Sequence, residues 1–296
     1  MSGDPKQGVP AVSIIIPHYQ DLDRLDLCLS ALMAQQGDLD FEIIVADNMS
    51  PCGEAEVLQA IAGRARLTIA TDKGAGPTRN AGVAAAKGKL LAFTDSDCVP
   101  DTHWLRHGVA ALAEYDVVGG RMVVLVADAD RMTGAEAFER VFAFNNRRYV
   151  EEEGFTVTAN LFCARALFDQ VGGFRTGLSE DLEWCRRATA AGYRLGYAEE
   201  AVVGHPARGD WKELVGKWRR INAETFGLFL SRRHGRLQWA VRSLALPLSV
   251  VRHTPMVMRS AAIAGLPTRM RALGTLVRIR LWRMGDAYRL LFRNLS

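Results

Sequence analysis

The sequence predicts an α/β protein, a doubly wound and mostly parallel sheet followed by a basic helical extension. Short continuous apolar runs at 12–16, 43–45, 67–70 and 90–93 alternate with helix-period segments. That alternation is the signature of parallel strands covered on both faces. Apolar residues make up 49% and charged residues 24% of the 296, enough for a sizeable core and outside the disordered, collagen-like and disulfide-stapled classes. The third observation is a break in charge. Residues 231–296 hold 13 Arg, no Lys and one acid, a formal +12, whereas residues 1–230 hold 24 basic and 32 acidic residues, a formal −8. The net +4 averages two unlike segments, 1–230 and 231–296, which we take as the two domains.

The elements follow in order. The β-branched run at 12–16 is a strand ended by Pro17, and Leu22, Leu25, Leu29, Leu32 and Met33 mark the apolar face of a helix. Ile43-Ile44-Val45 is a second strand, followed by a turn with Asn48, Ser50 and Pro51 and a helix near 54–62. A third strand at 67–70, a glycine-bearing loop, an Ala-rich helix over 78–87 and a fourth strand at 90–93 complete this region. From 115 to 205 the pattern is less regular. It gives strands at 117–118, 121–126, 155–164 and 195–203, and helices at 135–149 and 181–191, the last closed by Gly192 as a C-cap glycine. A helix over 211–229 carries Lys212, Lys217, Arg219 and Arg220. In the tail, Arg269, Arg271, Arg278, Arg280, Arg283, Arg289 and Arg293 recur at about helical spacing, and Pro247, Pro255 and Pro267 cut the segment into several short helices.

Five cysteines with no Cys-x-x-Cys pair argue against a zinc cluster or disulfide framework and suit a reducing cytoplasm. No signal-peptide pattern and no run of 18 uncharged apolar residues is present, so a secreted or membrane-spanning chain is not expected.

Ligands on such sheets bind beyond the carboxyl ends of the strands. Asp95-Ser96-Asp97 stands there, directly after the strand at 90–93. Two carboxylates at i and i+2 offer the oxygen ligands that Mg²⁺ or Mn²⁺ takes together with phosphate oxygens. The same triplet at Asp21/Asp23 and Asp128/Asp130 falls at a helix start or in a loop, so position makes Asp95 and Asp97 distinctive. Asp47 follows the second strand in the same way, either as a ligand residue or as an Asx-turn residue. The segment 73–82 is glycine-bearing, but Arg79 stands where Gly-x-Gly-x-x-Gly needs its last glycine, which disfavours a dinucleotide site. Arg79 either pairs with a diphosphate through its planar fork or lies in a solvated capping loop.

These residues resemble the inverting glycosyltransferases of family 2. The stretch Ile14-Ile15-Ile16-Pro17-His18-Tyr19 is similar to the family's opening strand, and Ile43-Ile44-Val45-Ala46-Asp47-Asn48 to its second strand and nucleotide-binding aspartate. Thr78-Arg79-Asn80-Ala81-Gly82 and Thr94-Asp95-Ser96-Asp97 follow in order. Ala159-Asn160-Leu161-Phe162, Val171-Gly172-Gly173-Phe174, Ser179-Glu180-Asp181, Ala190-Ala191-Gly192-Tyr193 and Val203-Gly204-His205 complete the series. The resemblance covers roughly 11–220 and implies a GT-A fold, a nucleotide-sugar donor (usually a UDP-sugar) and a divalent metal, Mn²⁺ or Mg²⁺. It implies donor contacts from Pro17, Tyr19, Asp47, Arg79, Asp95 and Ser96, and metal contacts from Asp95, Asp97 and His205. Asp181 matches the family's base, and Gly173, Phe174, Glu180 and Trp184 lie on the acceptor side. The rival reading of Glu180 and Asp181 is a helix N-terminus with favourable acids and Ser179 as N-cap. Ser179 replaces a common glycine, Cys98 a common acid, and Met49 a usually small residue.

For the tail, an amphipathic segment on an anionic lipid surface is favoured over packing on the protein or on a second subunit, and nucleic acid is not expected. The combined expectation is a peripheral enzyme at the cytoplasmic face of a membrane, extending a lipid-linked glycan or cell-surface polysaccharide, with oligomeric state left open. The alternatives are a sugar nucleotidyltransferase, whose usual glycine-rich loop is replaced here by Pro17-His18-Tyr19, and a non-catalytic nucleotide-sugar-binding protein at a membrane.

Overall fold

The β-branched run near the N-terminus becomes β1 (Val12–His18), a strand whose residues from Val12 to Ile16 are fully or almost fully buried. The computed structural model describes residues 9–176 and 179–293. Beside β1 lie β2 (Phe41–Asp47), β3 (Arg66–Ile69) and β4 (Leu90–Phe93), all parallel, in the order β3-β2-β1-β4. Three helices make the crossovers, α1 (Leu22–Met33), α2 (Glu54–Ile61) and α3 (Ala75–Ala85). Register sets the functional edge. His18 pairs with Asp47, Asp47 with Ile69, and Ile15 with Phe93, so the carboxyl ends of these strands open on one side.

The sheet then changes direction. β7 (Leu161–Ala164) lies antiparallel to β4 and to β6 (Val117–Leu125), and β8 (Leu195–Pro206) lies antiparallel to the two-residue β5 (Val99–Pro100). The full order is β3-β2-β1-β4-β7-β6-β8-β5. Around this half lie α4 (Trp104–Ala111), α6 (Asn146–Glu151), α7 (Arg165–Val171) and α8 (Glu180–Ala190). The strand expected over 155–164 forms only at its end, because Thr158–Asn160 is a 3₁₀ turn. The helix expected over 135–149 is two helices. α5 (Gly134–Phe142) opens on a Thr133–Glu136 capping box, and Asn145 restarts the chain by accepting the N–H of Arg148. Gly192 takes a left-handed φ of 93° just past α8, as a C-cap glycine does.

By contact the chain forms two units, Met1–Val123 with Asn145–His205, and Val124–Phe144 with Pro206–Ser296. The first holds the sheet and a core around Ile15, Ile44, Phe93, Phe162 and Trp184. The second is helical, formed by α5, α9 (Trp211–Leu230), α10 (Gly235–Leu244), α11 (Ser249–Arg259) and α12 (Leu266–Arg293). Helical structure therefore begins before the composition changes near 230, and it takes in α5 from the middle of the chain.

The prolines act less than expected. Pro247 separates α10 from α11, but Pro255 lies inside α11 and Pro267 is the second residue of α12, where no helical N–H partner is lost. α12 runs unbroken for 28 residues instead of dividing into short pieces. Its apolar positions Ala272, Leu276 and Ile279 pack with Phe138, Leu214 and Val257. Its arginines are used mainly within the unit. Arg278 and Arg283 each stand 3.9 Å over the rings of Trp211 and Trp218, Arg271 donates to the Met132 carbonyl, and Arg289 pairs with Asp286. Burial, with Arg280 and Arg242 nearby, pushes the Arg283 guanidinium down to about 9. Among the described residues no helix is long and apolar enough to cross a membrane.

Candidate active site

The site is built at the carboxyl ends of β1, β2 and β4. Phe93 ends β4 in the core, and the chain turns at once into Asp95-Ser96-Asp97, all half-buried. The antiparallel pairing of β5 with β8 sets Val99 opposite Gly204, which brings His205 to the turn. His205 Nε2 lies 3.3 Å from Asp97 Oδ2. One ligand atom each from Asp95, Asp97 and Cys98 falls within 4.8 Å of the others. The carboxylate oxygens of Asp95 and Asp97 suit a hard divalent cation, and the His205 imidazole adjoins them through Asp97. Cys98 fits such an ion poorly. It is fully buried, and burial together with Asp95 and Asp97 pushes its thiol far up.

Arg79 links this turn to α8. It sits on α3, is 3% exposed, and extends one nitrogen to Asp95 Oδ1 at 2.5 Å and another to Glu180 Oε1 at 2.6 Å. Burial alone would lower its pKa, but the two carboxylates outweigh that and raise it. Glu180 moves up because burial exceeds the pull of Arg79. Arg79, read from the sequence either as a diphosphate partner or as a solvated cap, is thus buried with both fork nitrogens on protein carboxylates. Asp181, next to Glu180 at the start of α8, is half-buried. Its Oδ1 accepts from the Ser179 hydroxyl at 2.7 Å and the Leu182 N–H at 2.8 Å.

Asp47 is 1% exposed, and its carboxylate is held by His18 Nδ1, the Ser50 N–H and the Ser50 hydroxyl. It braces the ends of β1 and β2 at the edge where Pro17 is half-buried and Tyr19 is 55% exposed. Two residues whose roles the sequence did not single out are prominent. Asn48 binds the Ala70 and Asp72 carbonyls and the Gly74 N–H, fixing the loop after β3. Asn80 donates to the Phe174 carbonyl and accepts its N–H, pinning the Gly173–Phe174 backbone. A side chain at Gly173 would meet Asn80 at 2.7 Å. Helix propensity and turn chemistry are both silent on such cross-chain amides, since their partners lie 22 to 94 residues away.

Two residues expected on the acceptor side lie largely in the core. Trp184 is fully buried, stacks on Phe168 and donates its indole N–H to the Gly172 carbonyl. Phe174 is 4% exposed in the same aromatic cluster, edge-on to Phe93. Both rings pack into the floor beneath α8, and Phe174 also borders the open hollow along α3. Asn160 is likewise internal, its amide joining the Arg121 and Ala201 carbonyls and accepting from Trp104. An open hollow bounded by Ile69, Asp72, Pro77, Asn80 and Arg175 lies along α3, and none of the site carboxylates named above lines it.

The ordered motifs correspond to a known sequence family. The profile "Glycosyl transferase family 2" matches residues 13–183. This chain belongs to glycosyltransferase family 2. The glycosyltransferase is 32% identical over 225 residues to "Glycosyltransferase AglE" of Haloferax volcanii, covering 72% of each chain. It is 26% identical over 217 residues to "Pre-mycofactocin glycosyltransferase" of Mycobacterium tuberculosis, covering 70% of this chain and 45% of that one. "Succinoglycan biosynthesis protein ExoO" of Rhizobium meliloti is 27% identical over 212 residues, with 67% and 60% covered. Among solved structures, the mannosyltransferase PcManGT of Pyrobaculum calidifontis, in complex with GDP-Man and Mn²⁺, superposes with a TM-score of 0.58 at 18% identity. That match covers 98% of this chain and 89% of the other, and it shows the shared GT-A fold. The enzyme is a glycosyltransferase, which removes the nucleotidyltransferase and non-catalytic alternatives.

Proposed function

We propose that the enzyme transfers a sugar with inversion from a nucleotide-sugar donor, a UDP-sugar in the first instance, to a hydroxyl of a lipid-linked glycan or cell-surface polysaccharide. The observation that carries this reading is one chain of contacts. His205 meets Asp97, Asp95 lies beside Asp97 in the same turn, and Arg79 joins Asp95 to Glu180, the neighbour of Asp181. Asp95, Asp97 and His205 would hold Mn²⁺ or Mg²⁺. When bound, such an ion supplies charge neutralisation for a departing diphosphate.

The protein's own groups do the rest. Asp181, held at the mouth of α8, takes the proton of the acceptor hydroxyl as its oxygen attacks the anomeric carbon opposite the leaving nucleotide. Pro17, Tyr19 and Ser96 face the donor at the strand ends, and Asp47 orders that edge through His18 and Ser50. Arg79 acts on both halves of the reaction, setting the angle of Asp95 and the entry of α8. The names of the relatives, which include succinoglycan biosynthesis, favour a glycan acceptor. We place the enzyme at the cytoplasmic face of a membrane, attached peripherally by its basic helical unit.

Two substitutions test the site. Asp181→Asn keeps the volume and removes the base, so turnover should fall by about 10²–10⁴-fold while donor binding persists. Asp97→Ala should abolish the Mn²⁺-dependent part of nucleotide binding, read by thermal shift with UDP-, GDP- and dTDP-sugars. GDP-sugars enter the panel because the structural neighbour holds GDP-Man. Full activity in Asp181→Asn would remove the base assignment, and metal-dependent binding unchanged in Asp97→Ala would remove the metal site.

A further inference from the structure

The helical unit leaves one kind of surface without a partner among the described residues. Its α12 arginines are largely taken up by rings and carbonyls of the same unit, so the stripe read from the sequence is not the face it presents. The open face lies on α10 and α11. Leu237, Val241 and Leu244 are 66%, 60% and 60% exposed. Their spacing of four and three puts them on one side of α10, while Gly235, Trp239 and Ser243 are buried on the other. On α11, Val251 and Met258 stand seven residues apart on one side of the helix at 77% and 38% exposure, and Leu248, just before it, is 74% exposed. Arg236, Arg252 and Arg259 are exposed about a quarter-turn from these apolar positions.

We propose that this apolar face of α10 and α11 is the surface that seats on anionic lipid, and that the α12 stripe is not. Charge decides the occupant. Between 231 and 260, the stretch that holds α10 and α11, the chain has six arginines and no acid. A second copy of the same face would set arginine against arginine with no carboxylate between them, at a cost in like-charge repulsion. Nucleic acid would need cations at the centre of the contact, and here the centre is leucine and valine while the cations form the rim. A phospholipid surface matches both parts. Acyl chains receive the apolar residues and the headgroup phosphates meet the rim arginines. The proposal rests on reading the helical unit as a peripheral membrane element, and it names the face.

The test is vesicle flotation of the full chain, using phosphatidylcholine alone and phosphatidylcholine mixed with phosphatidylglycerol. The wild-type chain should float with the mixed vesicles, weakly or not at all with phosphatidylcholine alone, and less at high salt. The triple variant Leu237→Gln, Val241→Gln, Leu244→Gln changes exposed positions only. Its melting temperature and its turnover on a soluble acceptor should hold, while partition onto mixed vesicles falls at least about tenfold. A parallel variant, Arg271→Gln with Arg278→Gln, should bind nearly as wild type. If the wild type floats and the triple variant floats equally, the face is wrong and peripheral attachment stands. Loss only in the α12 variant assigns contact to the stripe and also overturns the proposal. A wild-type chain that ignores the mixed vesicles overturns both the face and the attachment.

Discussion

Arg79 holds two carboxylates from distant parts of the chain on one guanidinium, Asp95 sixteen residues away and Glu180 one hundred and one. Both partners keep part of their solvent exposure, so the network is worth less than a fully buried one. Arg79→Met should cost about 2–3 kcal/mol, below the usual loss for breaking a fully buried pair, and a thermal melt reads it. Glu180→Gln separates fold from chemistry. It leaves the Asp95 contact intact and loosens only the start of α8, so kcat should drop about tenfold with donor affinity retained. A donor KM that rises in step with the loss would instead place Glu180 at the donor. At this scale the sequence was partly informative. The position of Asp95 and Asp97 after a parallel strand and of Asp181 at a helix start was legible, but the engagement of Arg79 with two carboxylates is invisible in a string, because it depends on α3, the β4 turn and α8 meeting.

The elements place these side chains through close packing. Gly82 lies three residues after Arg79 on α3, and a Cβ there would stand 2.6 Å from the Ile15 methyl on β1. The glycine is needed for helix-to-strand approach, since its φ is not left-handed. Gly82→Ala should lift α3 from the sheet, cost about 1–3 kcal/mol and lower activity together with melting temperature. Normal stability in that variant would show that the helix moves without strain. Strand identity was legible in this half because buried parallel strands write continuous apolar runs. The antiparallel half was less so. β7 is only four residues, and its direction is set by pairing with β4 and β6 rather than by anything local. The break between α5 and α6 turns on Asn145, whose capping role competes with a helical period that continues past it.

Across the whole molecule, charge is organised by unit. In the helical unit Glu139 is 2% exposed and receives Arg208 at 3.0 Å and Lys217 at 2.8 Å. Burial pushes its carboxyl up, but Lys217 and Arg208 outweigh it and hold the pKa below the ordinary value of 4.5. The unfolded chain therefore binds this proton first as pH falls. The stabilisation is complete above the ordinary glutamate pKa and is lost as pH drops through the depressed folded value. Glu139→Gln should lower neutral-pH stability by about 3–5 kcal/mol and flatten the melting temperature against pH below the ordinary value. An unchanged acid limb would place the acid sensitivity elsewhere. Lys217, one of the four basic residues read from the sequence on α9, is held by this internal partner.

By itself the sequence determined the fold family, the parallel half of the sheet, the strand-end carboxylates and the uneven charge. Each is written locally, in apolar period, in turn residues or in composition. The tertiary structure alone decided what the arginines do. A guanidinium reads the same in a string whether it meets lipid, a carboxylate or an indole. Only packing turned Arg79 into a link between Asp95 and Glu180, and set Arg278 and Arg283 over tryptophans of their own unit. Burial in a helical core makes an internal aromatic or carbonyl partner the available compensation for a charge removed from water.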